Sequence, residues 1–220
     1  MKKAGSWSDP AAGEGMAAKT SDATQCKGPS ADKRAVILDS ALDLFRHYGY
    51  RRTSMEDIAQ AANVAKGTLY LYFKSKDELF EALARRLAER VDENLTVAAG
   101  RDIGTEEKIL ALLDAKLGFF YRWVLSSPHA AELIDSKPMI PEEIFSSVDR
   151  HFRSAVAKAL KDGVRGGELD PKAAGLSLEA AADTLIAAAY GAESGARDEA
   201  DFRGRLERIV RLSLRGLRKI

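Results

Sequence analysis

The stretch that decides the fold is residues 53–76, TSMEDIAQAANVAKGTLYLYFKSK. It contains two short runs with helical periodicity, and Asn63 lies between them where the chain must turn sharply. Asparagine tolerates the left-handed backbone conformation better than most residues, so a tight turn is expected there. Thr53, followed three residues later by Glu56, predicts a capping box that begins the first helix. The predicted core-facing residues of that helix are Met55, Ile58, Ala59 and Ala62.

The second run predicts a helix from about Lys66 to Phe73. Leu69 and Phe73 are four residues apart and are expected to face inward. Tyr70 and Tyr72 fall on the opposite side, where their hydroxyls would suit phosphates or base edges. This short helix therefore has one apolar and one polar face.

Further helices are predicted on both sides of this pair. Apolar residues recur at helical spacing over residues 37–48, and Gly49 ends that run. Ser75 with Glu78 predicts a capping box that begins a long helix through Val91. Two short helices joined by a tight turn and braced by a preceding helix form a helix-turn-helix, whose second helix enters the major groove of DNA.

The distribution of charge agrees with this interpretation. Residues 50–76 carry five basic and two acidic side chains, a local excess of three. The whole chain of 220 residues has a formal net charge of +1, so the remainder carries −2. Cations are therefore concentrated where DNA phosphates would lie.

Composition excludes several classes of protein. Lys and Arg number 34 against 33 Asp and Glu, so neither a uniformly basic coat nor an acidic tail is present. The single cysteine, Cys26, permits no internal disulfide and no thiolate cluster, which fits a reducing compartment. No apolar run is long enough to span a bilayer, and we expect a cytoplasmic protein with no membrane partner. No phosphate-binding glycine loop or nucleophile motif supports an enzyme.

The chain divides into three predicted regions. Residues 1–30 are rich in small and polar residues and are expected to form a disordered arm. Residues 31–91 contain the DNA-binding unit, with the helix-turn-helix at about 54–73, and residues 92–220 form a larger helical bundle. No run alternates as a strand would, so the predicted fold is all-α with about nine helices.

The first of these helical regions resembles the TetR/AcrR family of bacterial transcriptional regulators. The resemblance rests on ILDSALDLF at residues 37–45, TSMEDIA at residues 53–59 and VAKGTLYLYFKSK at residues 64–76. It covers about sixty residues. The remainder matches only in its helix layout and in Gly163 to Leu169, which looks like the joint before the family's last two helices.

The resemblance implies a role for each matching position. Thr53 would cap the second helix against a phosphate, and Lys76 would hold another phosphate. Ser54 and Lys66 would contact base edges. The groove and the backbone would be lined by Gly67, Thr68, Tyr70 and Tyr72.

Two residues depart from the family pattern. Asn63 replaces the usual turn glycine, which the left-handed tolerance of asparagine should accommodate. Ala65 replaces the usual serine cap of the recognition helix, which loses roughly 0.5–2 kcal/mol of capping. We expect Lys76→Ala to weaken binding to all DNA and to flatten its salt dependence, and Lys66→Ala to alter sequence preference.

The resemblance also implies an effector cavity and a homodimer in residues 92–220. Aromatic residues that could line a cavity for an apolar or mixed ligand are Phe120, Trp123, Phe145, Phe152 and Tyr190. Residues of the last two helices that could form a four-helix dimer interface are Leu178, Leu185, Phe202, Leu206, Ile209 and Val210. For any single aromatic residue, plain helix packing is the commoner explanation of such spacing. In the last two helices, core packing and dimerisation can hold at once, because a helix has two sides. The three histidines lack close ligand spacing, so we predict no metal and no other cofactor.

These features predict a homodimeric repressor of a pseudo-palindromic operator, released by a small-molecule effector. Effector binding would move the fourth helix and change the spacing of the two reading heads. A DNA-binding regulator or activator that needs no effector stays open as an alternative.

Overall fold

The computed structural model of the protein describes residues 29–136 and 140–218. Of the predicted arm, only the last two residues lie within these ranges. The loop around Pro138 lies outside them. Within them the chain forms nine α-helices, with one isolated bridge between Leu169 and Arg218 in place of any named strand. The all-α prediction is confirmed. None of these helices is long and apolar enough to cross a membrane.

The order of the helices along the chain matches the predicted order. They are α1 (Pro29–Tyr48), α2 (Met55–Ala61), α3 (Lys66–Tyr72), α4 (Lys76–Gly100), α5 (Thr105–Leu113), α6 (Ala130–Asp135), α7 (Glu142–Arg165), α8 (Leu178–Tyr190) and α9 (Glu199–Gly216).

We call α1, α2, α3 and the first part of α4 the head, because they share one hydrophobic cluster that runs from Ile37 to Leu83 and also includes Leu133 of α6. Phe45 lies at its centre, with its ring centroid 5.2 Å from that of Tyr50 and 5.9 Å from that of Phe80. The helices α2 and α3 have seven residues each. Isolated helices need about 12–15 residues to be even marginally stable, so packing within this cluster holds both in place.

The second half of α4, the helices α5 to α9 and the segments that join them form the body, most of which surrounds a separate cluster from Val91 to Leu217. The central helix is α7, which contacts α4, α5 and α8. Its buried stripe contains Val148, Phe152, Val156 and Leu160, as predicted. Phe145 is only partly buried, because Ile144 takes the inward position at that end of the helix.

Two π-helical turns, Asp114–Gly118 and Tyr121–Leu125, follow α5. Each residue of a π turn advances less around the axis than in an α-helix, so the inward face shifts along the sequence. Phe119 is therefore buried with 6% of its surface exposed, whereas Phe120 is 40% exposed. The regular spacing that placed Phe120 on the apolar stripe was wrong for this reason.

Two helix boundaries in the body also differ from the prediction. Gly163 lies buried inside α7 rather than ending it, and a Cβ there would approach the Thr105 side chain at 2.9 Å. Pro171 begins only a short 3₁₀ turn, Pro171–Ala174, which Gly175 ends with a φ of +70°. Ser177 then caps α8 by accepting from the Ala180 amide.

Candidate nucleic-acid interface

The turn between α1 and α2 places the cap one residue later than predicted. Ser54 is the N-cap: its Oγ accepts from the Asp57 amide at 3.1 Å, and Asp57 Oδ2 accepts from the Ser54 amide at 2.8 Å. These bonds from Ser54 hold the pKa of Asp57 below its usual value. Thr53 is 2% exposed and donates to the Gly49 carbonyl at 2.7 Å. Its predicted capping role was wrong, because the turn at Gly49 draws the hydroxyl inward.

The turn between α2 and α3 has the predicted backbone. Asn63 has a φ of +52° and is the sole residue other than glycine with a positive φ in the described ranges. The chain then extends through Ala65, which caps α3 without a side-chain hydrogen bond. Both departures from the family pattern are thus accommodated, and α3 begins at Lys66 as expected.

The two faces of α3 differ sharply. Leu69 and Phe73 are buried in the head cluster, while Tyr70 is 41% exposed and Gly67 has open space around its Cα. Tyr72 is only partly buried and packs against the same cluster, so it lies between the two faces. Leu71 is 86% exposed. Leu71 was not among the predicted surface residues, although its spacing of two from Leu69 places it on the opposite side of a helix.

An ion pair joins α2 to α3 on this exposed surface. Lys66 Nζ donates to Glu56 Oε1, and the two side chains are 59% and 56% exposed. The same ammonium lies 6.0 Å from the centroid of the Tyr70 ring. Hydrogen bonding to Lys66 lowers the pKa of Glu56 and that to Glu56 raises the pKa of Lys66, so both groups remain charged at neutral pH.

Lys76, at the start of α4, points back into the head. Its Nζ donates to the carbonyls of Tyr50 at 2.8 Å and Thr53 at 2.9 Å, and lies 4.5 Å from the centroid of the Tyr50 ring. Tyr50 in turn donates to Asp77 on α4, and burial followed by this bond raises the pKa of the phenol. Lys76 therefore fixes the α1–α2 turn against α4, and its ammonium is committed to backbone oxygens rather than displayed for a phosphate.

The carboxyl end of α1 rests on the body at a contact that we call the joint. The α1 carbonyl of Arg46 accepts from Ser127 Oγ at 2.7 Å, and that of His47 accepts from His129 Nε2 at 3.1 Å. A carbonyl only accepts, so this second bond requires the His129 proton on Nε2. The last carbonyls of a helix lack partners within the helix. Side chains of the body thus cap the first helix of the head.

Side chains of the head also reach the body across the joint. Arg46 Nη2 donates to the Arg122 carbonyl at 3.2 Å, and its guanidinium lies 5.2 Å from the centroid of the Trp123 ring. Glu132 on α6 accepts from the Arg51 amide in the α1–α2 turn. The head is therefore attached to the body twice, through the continuous helix α4 and through the joint.

Similarity to known proteins agrees with this geometry. The model of bacterial regulatory proteins of the tetR family matches residues 37–83. The HTH-type transcriptional regulator TtgR of Pseudomonas putida is 31% identical over 176 residues, which are 73% of this chain and 81% of that protein. The chain belongs to the TetR family. Members of this family are transcriptional regulators and not enzymes, so the chain is a DNA-binding transcriptional regulator.

Two further relatives of the chain extend this match. The HTH-type transcriptional repressor Rv1474c of Mycobacterium tuberculosis is 36% identical over 144 residues, covering 61% of this chain and 72% of that protein. The crystal structure of a TetR/AcrR-family regulator from Thermobifida fusca YX-ER1 has a TM-score of 0.64 at 25% identity. It covers 86% of this chain and 100% of the other. The TetR-like arrangement therefore extends through the body.

The five effector-cavity candidates of this TetR-family chain do not come together. Phe120 is exposed, Trp123 lies at the joint, and Phe145 is partly buried at one end of α7. Two open clefts formed by described residues have volumes of about 480 Å³ and about 250 Å³, and no candidate lines either one. The larger lies between the head and His129, and the smaller lies beside Leu169 and Arg218.

Phe152 and Tyr190 instead border a polar network that is partly exposed at the surface of the body. Lys116 Nζ contacts Asp149 Oδ1 at 2.5 Å and Tyr190 Oη at 2.6 Å, and lies 4.7 Å from the centroid of the Phe152 ring. Burial alone would raise the pKa of Asp149, but hydrogen bonds from Lys116 and Arg153 outweigh it and lower that pKa to about 2. The network therefore joins the π-helical turn Asp114–Gly118 to α7 and α8.

The dimer candidates also occupy other positions than predicted. Four of them are buried in the protomer's own cluster and two are partly buried: Leu185, Phe202, Leu206 and Val210, then Leu178 and Ile209. Fully buried side chains have no surface left for a second protomer, so the prediction was wrong for those four. Residues that α8 and α9 do expose include Thr184, Ala187, Ala188 and Leu212, the last 71% exposed.

Proposed function

We propose that this TetR-family regulator is a homodimeric repressor that an effector releases from a pseudo-palindromic operator. The observation that carries the proposal is the exposed face of α3. Lys66, Tyr70 and Leu71 project from it, while Leu69 and Phe73 anchor the opposite side in the head. A helix held by one face and displaying donors and an apolar side chain on the other suits the major groove.

Individual residues of this surface are assigned by their chemistry. The open space at Gly67 allows the backbone to approach DNA closely. The exposed Leu71 suits apolar contact with a thymine methyl group. Arg51, Arg52 and Lys74 are exposed beside it and suit phosphates. Thr68 and Tyr70 complete the hydroxyl donors toward the groove.

The exposed sides of α8 and α9 are the proposed dimer interface, in place of the buried residues that the sequence favoured. Leu212 is its apolar anchor, and the small residues Ala187 and Ala188 allow helices to approach closely. Two-fold pairing through these helices would place half-sites about one helical turn of DNA apart, roughly 34–36 Å, or a multiple of it. Sedimentation equilibrium should give a dimer, and Leu212→Asp should give a folded monomer.

The two attachments of the head support coupling to an effector. A ligand that displaces the Tyr121–Leu125 turn would move the Arg122 carbonyl and the Trp123 ring, which hold Arg46 of the head. A shift of α4 would act through Lys76 on the α1–α2 turn. Coupling of this kind typically amounts to about 1–3 kcal/mol.

Binding to DNA that flanks the protein's own gene tests the proposal most directly. At two salt concentrations, the full chain should bind this DNA more tightly than a random duplex of equal length, with affinity falling as salt rises. Equal affinity for both duplexes would contradict operator recognition. A promoter reporter that is silenced by the protein supports repression, and an activated reporter contradicts it.

The alternative is a DNA-binding regulator that needs no effector, and it is favoured because none of the five aromatic candidates lines either of the two clefts described above. Two of those candidates, Phe152 and Tyr190, instead contact Lys116, which pairs with Asp149. A panel of small molecules tested for thermal stabilisation distinguishes an effector-controlled regulator from one that needs no effector, because a ligand that binds the folded state raises the melting temperature. A ligand that raises it and releases DNA supports the proposal, whereas no shift with any compound favours the alternative.

A further inference from the structure

We infer that Glu56 and Lys66 together read a single G·C base pair in each operator half-site. The inference rests on the proposed function, in which α3 lies in the major groove. It assigns a base-reading role to Glu56, an acidic residue of the first helix of the motif. It also names a base pair that the operator should contain.

The ion pair of Glu56 and Lys66 lies at the start of α3. Lys66 is the first residue of α3, and its ammonium also lies near the ring of the exposed Tyr70. The first helix of such a motif crosses the DNA backbone, so Glu56 on α2 starts farther from the base edges than Lys66 does. The contact with Lys66 holds the Glu56 carboxylate beside α3, and therefore beside the groove.

The ion pair of Glu56 and Lys66 presents both hydrogen-bond donors and hydrogen-bond acceptors. In the major groove, guanine presents two acceptors, N7 and O6, and cytosine presents one donor, the N4 amino group. A lysine ammonium has three donors, so Lys66 can keep its bond to Glu56 Oε1 and still donate to both guanine acceptors. The second carboxylate oxygen of Glu56 can accept from cytosine. Protein and base pair thus present complementary donor and acceptor patterns.

An A·T pair does not match this pattern. Adenine places its N6 donor where guanine has O6, so it faces the Lys66 ammonium with a second donor. Thymine presents the O4 acceptor and a methyl group, and neither satisfies the Glu56 carboxylate. A carboxylate near phosphates is normally repelled, but the lysine charge cancels this cost because the pair is neutral.

Removing Glu56 should leave the head folded. The capping box of α2 uses Ser54 and Asp57 and does not involve Glu56. Both side chains of the ion pair are more than half exposed, so the loss in stability is small. Thermal melts of the variants check this directly.

Selection of bound sequences from a random duplex library, with the full-length protein, is the test. The variants are Glu56→Ala and Lys66→Ala. The matched control is Glu81→Ala, which removes a carboxylate from another exposed ion pair, with Arg85 on α4. The control changes the net charge by the same amount, so a general gain in affinity for DNA is common to both glutamate variants.

The wild type should enrich a motif with one G·C pair per half-site preferred about tenfold over A·T. Both Glu56→Ala and Lys66→Ala should reduce that preference at the same position, and Glu81→Ala should leave it intact. A motif that Glu56→Ala leaves unchanged would overturn the inference while leaving the proposed function standing. The inference would also be overturned if the variants lost a preference for an A·T pair, or if the two variants lost preference at different positions of the motif. Enrichment of no motif by the wild type would instead overturn the proposed function.

Discussion

The head and the body of this protein are both all-helical, but their sequences encode structure in different ways. In the head, the turn at Asn63 and the short helix α3 lie within one residue of where local patterns place them. In the body, the π turns after α5 and the 3₁₀ turn at Pro171 were not evident from the same kind of pattern. Caps and turns act over a few residues. In the body, which side of a helix faces inward depends on the neighbouring helices against which it packs.

The two regions also use their charged groups differently. Lys66 and Glu56 of the head are paired on the surface, where a ligand can approach them. Lys116 and Asp149 of the body are paired against Phe152 and Tyr190, with little exposure of the lysine. The head therefore presents charge for recognition, while the body uses charge to hold three helices together.

The largest expected effect tests the shift of helix phase in the body. Phe119→Ala should lower the free energy of unfolding by about 3–5 kcal/mol, because it leaves a cavity in a buried cluster. Phe120→Ala should cost less than about 1 kcal/mol, because its ring is largely exposed. Urea unfolding followed by circular dichroism measures both. The reverse order would mean that α5 continues as a regular α-helix with Phe120 inward.

The next effect tests whether Lys76 is part of the architecture of the head. Lys76→Ala should lower the free energy of unfolding by about 2 kcal/mol, because charge-assisted bonds to the carbonyls of Tyr50 and Thr53 are lost. The salt dependence of DNA binding should keep its slope. Lys74→Ala removes an exposed lysine nearby and is the matched control, expected to reduce that slope and leave stability unchanged. A reduced slope with unchanged stability for Lys76→Ala would restore its role as a phosphate ligand.

A smaller effect tests the charge network of the body through pH. The pKa of Asp149 is about 2 in the folded protein against an ordinary value of 3.8, so ionised Asp149 stabilises the fold above pH 4. After allowance for its partial exposure, Asp149→Asn should cost about 1–2 kcal/mol at pH 7. The difference between wild type and variant should shrink progressively between pH 4 and pH 2 and be lost below pH 2. Urea titrations from pH 7 to pH 3 measure it, and a difference independent of pH would rule out the ionic contribution.

The smallest effect compares the two helix starts of the head. Ser54→Ala should lower the free energy of unfolding by about 1 kcal/mol, because it removes the side-chain cap of α2. Ala65→Ser should raise that free energy by about 0.5–1 kcal/mol, because α3 has no side-chain cap to begin with. Thermal melts of both variants give the two signs, and equal signs would contradict this assignment of caps.

Most of the candidate site could be predicted from the sequence because its signals are local. Asn63, Leu69 and Tyr70 were assigned from spacing and backbone preference alone, and the structure places them accordingly. Thr53 and Lys76 could not be assigned in this way. The Thr53 hydroxyl donates to the Gly49 carbonyl and the Lys76 ammonium donates to the Tyr50 carbonyl. No local sequence pattern predicts these two contacts.

The sequence by itself determined an all-helical chain, a helix-turn-helix and a local excess of positive charge. These follow from periodicity, capping and composition, which depend on neighbours along the chain. Only the tertiary structure decided that the body caps α1, that Glu56 meets Lys66, and that Phe119 rather than Phe120 is buried. Each of these contacts joins residues that are distant in sequence, or depends on how a helix is oriented against its neighbours. Only packing in three dimensions sets that arrangement.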